Sequence, residues 1–201
     1  MKVGKIALTF VCGILLVGLI SDVSRADISP VSATTAAPIA FSTSVSNVID
    51  GVLDYDSFLS LGFEGFGTFD GPYTVRFDLG ASYNLTDFNL WNNAGYLYND
   101  GEGVNAFALN FFDSSMADVG SYSGNAADIL NKQTFTLVAS DVKVVDFTVI
   151  SNHFVSSGFP DRQYVDFYEV SFEGAVVPVP GAILLGMLGL GVAGIKLRKH
   201  A

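Results

Sequence analysis

Cysteine is nearly missing from this chain: the single one, Cys12, lies inside an N-terminal apolar run. That excludes a disulfide scaffold and any cysteine-rich zinc site. Histidine is almost as scarce, with only His153 and His200, so a His-rich metal centre is excluded as well. Basic charge is the third shortage, ten Lys and Arg against twenty Asp and Glu, a net of −10. Six of the ten bases sit in the terminal segments, so residues 27–177 hold four against nineteen acids, a net of −15. Such a stretch has no cluster with which to displace counterions from phosphates, which excludes a nucleic-acid partner. It repels anionic polymers at low salt and can gather divalent cations. The chain also lacks a Gly-x-Ser-x-Gly element, a His-Glu-x-x-His element and a phosphate loop. Charged residues are only 15% of the 201 and hydrophobic ones 50%, so intrinsic disorder is excluded too.

What is present begins with two hydrophobic ends. Lys2 and Lys5 precede an apolar stretch, Ile6 to Ile20, and Ser24-Arg25-Ala26 places small residues where a signal peptidase reads them. Residues 1–26 are expected to be a signal peptide cleaved after Ala26, with an uncleaved anchor as the alternative; the run is short for a bilayer. Cys12 has no lipoprotein box before it, so the mature chain would hold no cysteine. At the other end, Gly181 to Ile195 is apolar and is followed by Lys196, Arg198, Lys199 and His200. Fifteen residues of helix span about 22 Å, short of the ~30 Å hydrocarbon core. Gly186, Gly189, Gly191 and Gly194 suit close helix contact in lipid, and the basic cluster reads as a cytoplasmic stop.

Val177-Pro178-Val179-Pro180, the glycine-rich apolar segment and the basic terminus resemble, in that order, the PEP-CTERM sorting signal of exopolysaccharide-producing Gram-negative bacteria. The resemblance implies that residues 178–201 hold the protein briefly in the inner membrane. An exosortase-type enzyme would then cleave near the Pro-x-Pro motif, leaving the protein at the cell surface or in the extracellular matrix. Val179 stands where that family usually has Glu, which leaves open the exosortase variant that would read it. An ordinary single-pass anchor is the alternative.

Between the ends, residues 27–38 are rich in Ser, Thr, Ala and Pro and read as a linker or a loose first strand. Residues 39–177 alternate at period two rather than 3.6. Val75, Phe77 and Leu79 share one strand face, as do Phe107, Leu109 and Phe111, then Phe135 and Leu137, then Val145, Phe147 and Val149, then Val170 and Phe172. Turn signals separate the runs at Asp70-Gly71-Pro72, Asn99-Asp100-Gly101, Ser123-Gly124-Asn125 and Ser157-Gly158-Phe159-Pro160. The pattern predicts an all-β protein, an antiparallel β-sandwich on one core.

Asn47-Val48-Ile49-Asp50-Gly51, Tyr73 to Gly80, Thr86 to Asn92, Val142 to Ile150 and Glu169 to Gly174 together resemble the discoidin, or coagulation factor 5/8 type C, domain. That resemblance implies an eight-stranded galactose-binding-like jelly roll that binds glycans, phospholipids or proteins through loops at one end. In its carbohydrate-binding members an Asp at the position of Asp50, backbone carbonyls and the Glu of the last strand hold one structural Ca²⁺. Here Asp50, Asp54 and Asp56 share one stretch and Glu169 would join them. Calcium's taste for six to eight oxygens suits such a set, although a solvated acidic turn is the plainer alternative. Trp91, Asn92, Asn93, Tyr96 and Tyr98 form an aromatic and amide cluster of the kind that stacks on sugar faces and bonds hydroxyls. His153 and Arg162 flank a second loop that could add polar contacts. Alternatively, Trp91 closes the core and the tyrosines are rim residues. The sequence thus points to a non-enzymatic exported protein that binds exopolysaccharide. A purely structural matrix protein comes second, and a small glycan hydrolase or lyase with two loop carboxylates third.

Overall fold

The computed structural model describes residues 25–38, 44–53, 66–68, 72–93, 101–153 and 165–178. Asp54, Asp56, Tyr96, Tyr98, Arg162, Val179, Pro180, the N-terminal apolar run and the C-terminal one lie outside the described residues. Among those described, no helix is long and apolar enough to cross a membrane.

Two long strands organise the molecule: β4, Tyr73–Asn92, and β7, Gln133–Val149. Their near halves pair with each other from Tyr73↔Val149 to Asp78↔Val144, and their far halves from Leu85↔Ala139 to Leu90↔Gln133. Register shifts fall between Asp78 and Asp87, where both strands bend; Asp141, at φ 58°, marks the bend in β7. The remaining strands are β1, Ala26–Ile28; β2, Ser32–Thr35; β3, Phe66–Thr68; β5, Ala106–Phe112; β6, Asp118–Asn125; and β8, Val165–Val176. The sheet order is β1-β8-β4-β7-β5-β6, with β2 on β4 and β3 on β8. Every paired strand is antiparallel.

The bend folds this sheet over a phenylalanine core. Val75, Phe77 and Leu79 point inward from the first half of β4, as their alternation requires. A bulge between Leu85 and Asp87 then reverses the parity, so Phe88 and Leu90 continue inward while Asp87, Asn89 and Trp91 share the opposite face. Phe88 lies within 5.4–5.6 Å, centroid to centroid, of Phe107, Phe147 and Phe172, joining both layers. Ring pairs at these separations add to the stabilisation from buried area.

Three sequence expectations change. Tyr73–Gly80 and Thr86–Asn92 are halves of one strand, and so are Phe135–Leu137 and Val145–Val149. The break in alternation marks bulges and a bend, not a turn. Ser123-Gly124-Asn125, read as a turn, ends β6, because Gly124 must lie flat against Phe107; a Cβ there would come within 2.8 Å of that ring. Residues 27–38 contribute β1 and β2 to the sheet rather than a linker alone.

Chain direction gives the sandwich two distinct ends. Ala26 faces Gly174, and Val177 N–H donates to Ser82 O at 2.8 Å, so both borders of the domain meet at one end. Tyr73, Asn92, Gly103, Val149 and Val165 lie at the other. From Tyr83 to Asn92 a strand spans about 30 Å.

Candidate functional site

The acidic turn is built by a 3-10 turn, Val45–Ile49, whose Ser44 cap accepts from Ser46 N–H and whose Val48 is buried in the core. Asp50 closes it, and Gly51 at φ 78° reverses the chain. Asp50 Oδ1 accepts from Val52 N–H at 2.9 Å, the Asx arrangement of the plainer reading. The chain's far end arrives as well: Gly51 N–H donates to Glu169 Oε2 at 3.3 Å. Glu169 is 5% exposed and sits opposite Trp91 in the sheet. Burial pushes its carboxyl up to about 7, the charges of Asp50 and Asp27 push the same way, and the backbone N–H groups of Gly51 and Asp50 oppose them.

Three carboxylates thus gather where none has a cationic partner among the described residues' ion pairs. Oxygen donors and excess negative charge fit a hard cation in kind. No group of three or more His, Cys, Asp or Glu side chains stands in ligating arrangement among the described residues. Asp54 and Asp56 lie outside those residues.

At the far end of the sandwich, Asn92 is fully buried and holds the loops together. Its Nδ2 donates to Val104 O at 2.7 Å and Ala127 O at 3.1 Å, and its Oδ1 accepts from Val104 N–H at 2.7 Å. With both amide N–H groups and its oxygen bonded to backbone and the side chain fully buried, Asn92 positions loops instead of meeting a sugar, a correction to the expected ligand role. Gly103 passes so close that a Cβ would stand 2.0 Å from Asn93 O. His153 is half-buried: its backbone N–H donates to Gly101 O at 2.8 Å, and Nε2 lies 3.1 Å from Ala126 O.

Beneath these loops lies Asp166, 7% exposed. Its side chain bonds Asn93, its backbone N–H donates to Glu102 O at 3.0 Å, and its Oδ1 has no hydrogen-bond partner. Burial first, then the Glu102 charge, raises its carboxyl to about 8. Burial and the neighbouring Asp166 likewise push the Tyr73 phenol well above its usual range. Sequence reasoning missed Asp166 and Glu102. A signal existed, an acid inside the apolar run Tyr164 to Tyr168, but strand alternation disguised it as an outward residue.

Trp91 is neither in the core nor in a loop. It is a half-buried strand residue on the outer face, with Lys132 Nζ 5.5 Å from its ring centre. That face carries a polar network, in which the second oxygen of Asp87 has only the Arg25 guanidinium, 3.5 Å away. Asn89 donates to Ser171 Oγ and Glu173 Oε1 and accepts from Thr134; Thr136 donates to Asp87 Oδ1 at 2.9 Å. Of the expected ligand cluster, Trp91 is part of β4, Asn93 directly follows that strand and His153 lies beside Gly101, while Tyr96, Tyr98 and Arg162 lie outside the described residues.

No protein-family model matches the chain, and no curated protein does. Solved structures do. The family 32 carbohydrate-binding module of Clostridium perfringens NanJ, in complex with galactose, is similar with a TM-score of 0.57 and 12% identity, covering 75% of this chain and 99% of that one. A Streptococcus pneumoniae fucose-binding module, SpX-3, gives 0.55 and 14%, over 73% and 96%. The lectin domain of Lectinolysin, complexed with Lewis B antigen, gives 0.54 and 15%, over 70% and 90%. At these identities the likeness establishes the fold: a galactose-binding-like, discoidin-like β-sandwich.

Proposed function

We propose that this chain is an exported, non-enzymatic glycan-binding protein that meets its ligand at the loop end formed by Asn93, Gly101–Val104 and His153. One observation supports this above the others: a sandwich of the kind used by galactose- and fucose-binding modules, with its loop end remote from both domain borders. A C-terminal segment held in the inner membrane would leave that end facing outward, and release by an exosortase-type enzyme would free it for the cell surface or matrix. Exopolysaccharide is the partner this location offers. Between Asp50 and Glu169, a Ca²⁺ ion would supply the positive charge the turn lacks and fix the turn to the last strand. The charge of residues 27–177 selects among glycans, since an anionic polymer is repelled.

The test is retention of the full chain, in mild detergent, on agarose bearing galactose, fucose or a uronic-acid polymer. Retention on a neutral sugar, weakened by His153→Ala and by Arg162→Ala, supports the reading. Passage through all three columns with the fold intact overturns it and leaves a structural matrix protein.

A further inference from the structure

We propose that the far half of β7, residues 134–140, is a self-association surface, where two copies of this chain pair edge to edge, antiparallel about a two-fold axis. One side of that half belongs to β4, from Leu85↔Ala139 to Leu90↔Gln133, whereas β5 pairs only with the near half, from Val144 to Val149. Alternate residues of the far half therefore turn a backbone N–H and C=O away from β4, and no strand takes them up among the described residues. Such an edge is a template for another strand unless charge, proline or shortness blunts it. Residues 134–140, Thr-Phe-Thr-Leu-Val-Ala-Ser, carry no charge and no proline, and most of them favour extended backbone. The register shift opposite Leu85 and Asp87 leaves their alternation intact: Thr134, Thr136 and Val138 are exposed, Leu137 and Ala139 buried. Val138, at 91%, is the most exposed large apolar side chain among the described residues.

Charge selects a second copy as the occupant. Residues 27–177 carry a net −15, so two copies repel over most of their surface. This uncharged run, however, is bracketed by Lys132 and Asp141. A two-fold axis through Thr136 sets Thr134 against the partner's Val138 and brings each Lys132 beside the partner's Asp141, so opposite charges meet at both ends. Lys132 leans over Trp91 and reaches Glu173 at 3.4 Å with 40% of its side chain exposed, and Asp141 is in none of the three ion pairs among the described residues. The other long edge, β6, fails the same comparison, because Asp118 and Asp128 flank it and its own copy would set acid against acid. The edges β1, β2 and β3 run only three or four residues.

Antiparallel pairing points the two loop ends in opposite directions. On the glycan reading above, on which this consequence alone rests, the dimer would bridge two polymer strands. It would form after release from the membrane, since tails at opposite poles cannot enter one bilayer.

Sedimentation of the full chain in mild detergent, from micromolar to millimolar concentration, tests the surface. A small interface should give a monomer at the low end and a dimer at the high end. Val138→Lys, at a position open to solvent, should raise the dissociation constant at least tenfold, and Ser123→Lys on β6 should leave it unchanged. Amide exchange among residues 134–140 should slow as concentration rises in the wild type and not in Val138→Lys. A monomer throughout overturns the proposal. A dimer that Val138→Lys leaves intact also overturns it and moves the contact to the apolar ends of the chain. One that Ser123→Lys weakens as much overturns it in favour of β6. Loss of sugar retention leaves the pairing untouched, so the two readings fall separately.

Discussion

Asn92 and Val104 bond each other twice, side-chain amide to backbone carbonyl and backbone N–H to side-chain oxygen, both at 2.7 Å. The second Asn92 N–H reaches Ala127 O at 3.1 Å, so one buried amide stitches together β4, the stretch before β5 and the stretch before β7.

Asn92→Ala leaves Val104 N–H and Val104 O unpaired in a buried place and takes one of two donors from Ala127 O, which keeps Gln133 Nε2. A loss of about 3 kcal/mol is expected, since each stranded group costs ~1–3 kcal/mol and water can rescue part of it. Urea unfolding followed by tyrosine and tryptophan fluorescence reads this directly. A change below 1 kcal/mol would mean that the three segments are held by something else.

Gly103→Ala should be poorly tolerated for a different reason. Its Cβ would meet a backbone oxygen, which cannot rotate away as a side chain can. About 2 kcal/mol of strain is expected, with weaker amide-exchange protection at Val104 and Asp166.

Two contacts of similar appearance should differ in worth. Phe88→Ala removes the ring shared by both layers and should cost ~3–5 kcal/mol. Arg76 pairs in a fork with Asp146 at 2.7 Å for both bonds, yet it lies on the open face of the sheet. Arg76→Ala should therefore cost only about 0–1 kcal/mol, shrinking further in salt. Thermal unfolding of the two variants side by side checks the contrast.

Calcium-free protein should lose stability as pH rises. Asp166 goes from its ordinary 3.8 to about 8 in the fold and Glu169 from 4.5 to about 7, so between those values the native state binds more protons than the unfolded one. The slope approaches 1.4 kcal/mol per pH unit for each such group, starting above about pH 4 and ending near 7 for Glu169 and 8 for Asp166. Acid therefore protects the apo form, opposite to a salt-bridged carboxylate. Asp166→Asn should flatten the upper part of the curve and Glu169→Gln the lower part. An apo midpoint equal at pH 5 and pH 8 would contradict the burial of both acids.

The sequence by itself determined the fold class. Period-two alternation at Val75–Leu79, Phe107–Phe111 and Val145–Val149 leaves one apolar face per strand, and such faces can only be buried sheet against sheet. Asp50-Gly51 and Glu169 were legible as a pair only through the resemblance to the discoidin domain, whose order of segments both positions match. Three matters were decided by tertiary structure. The bulge before Asp87 turned Trp91 to the outer face of the sheet, since a one-residue slip reverses every side chain beyond it. Asn92 became a buried brace because its partners, 12 and 35 residues distant, come near only when the sheet closes. Asp166 became an acid with an unmet oxygen because loops from elsewhere cover it. Alternation records which way a residue points within its own strand. What then covers it depends on segments remote in the chain, and no local pattern contains that information.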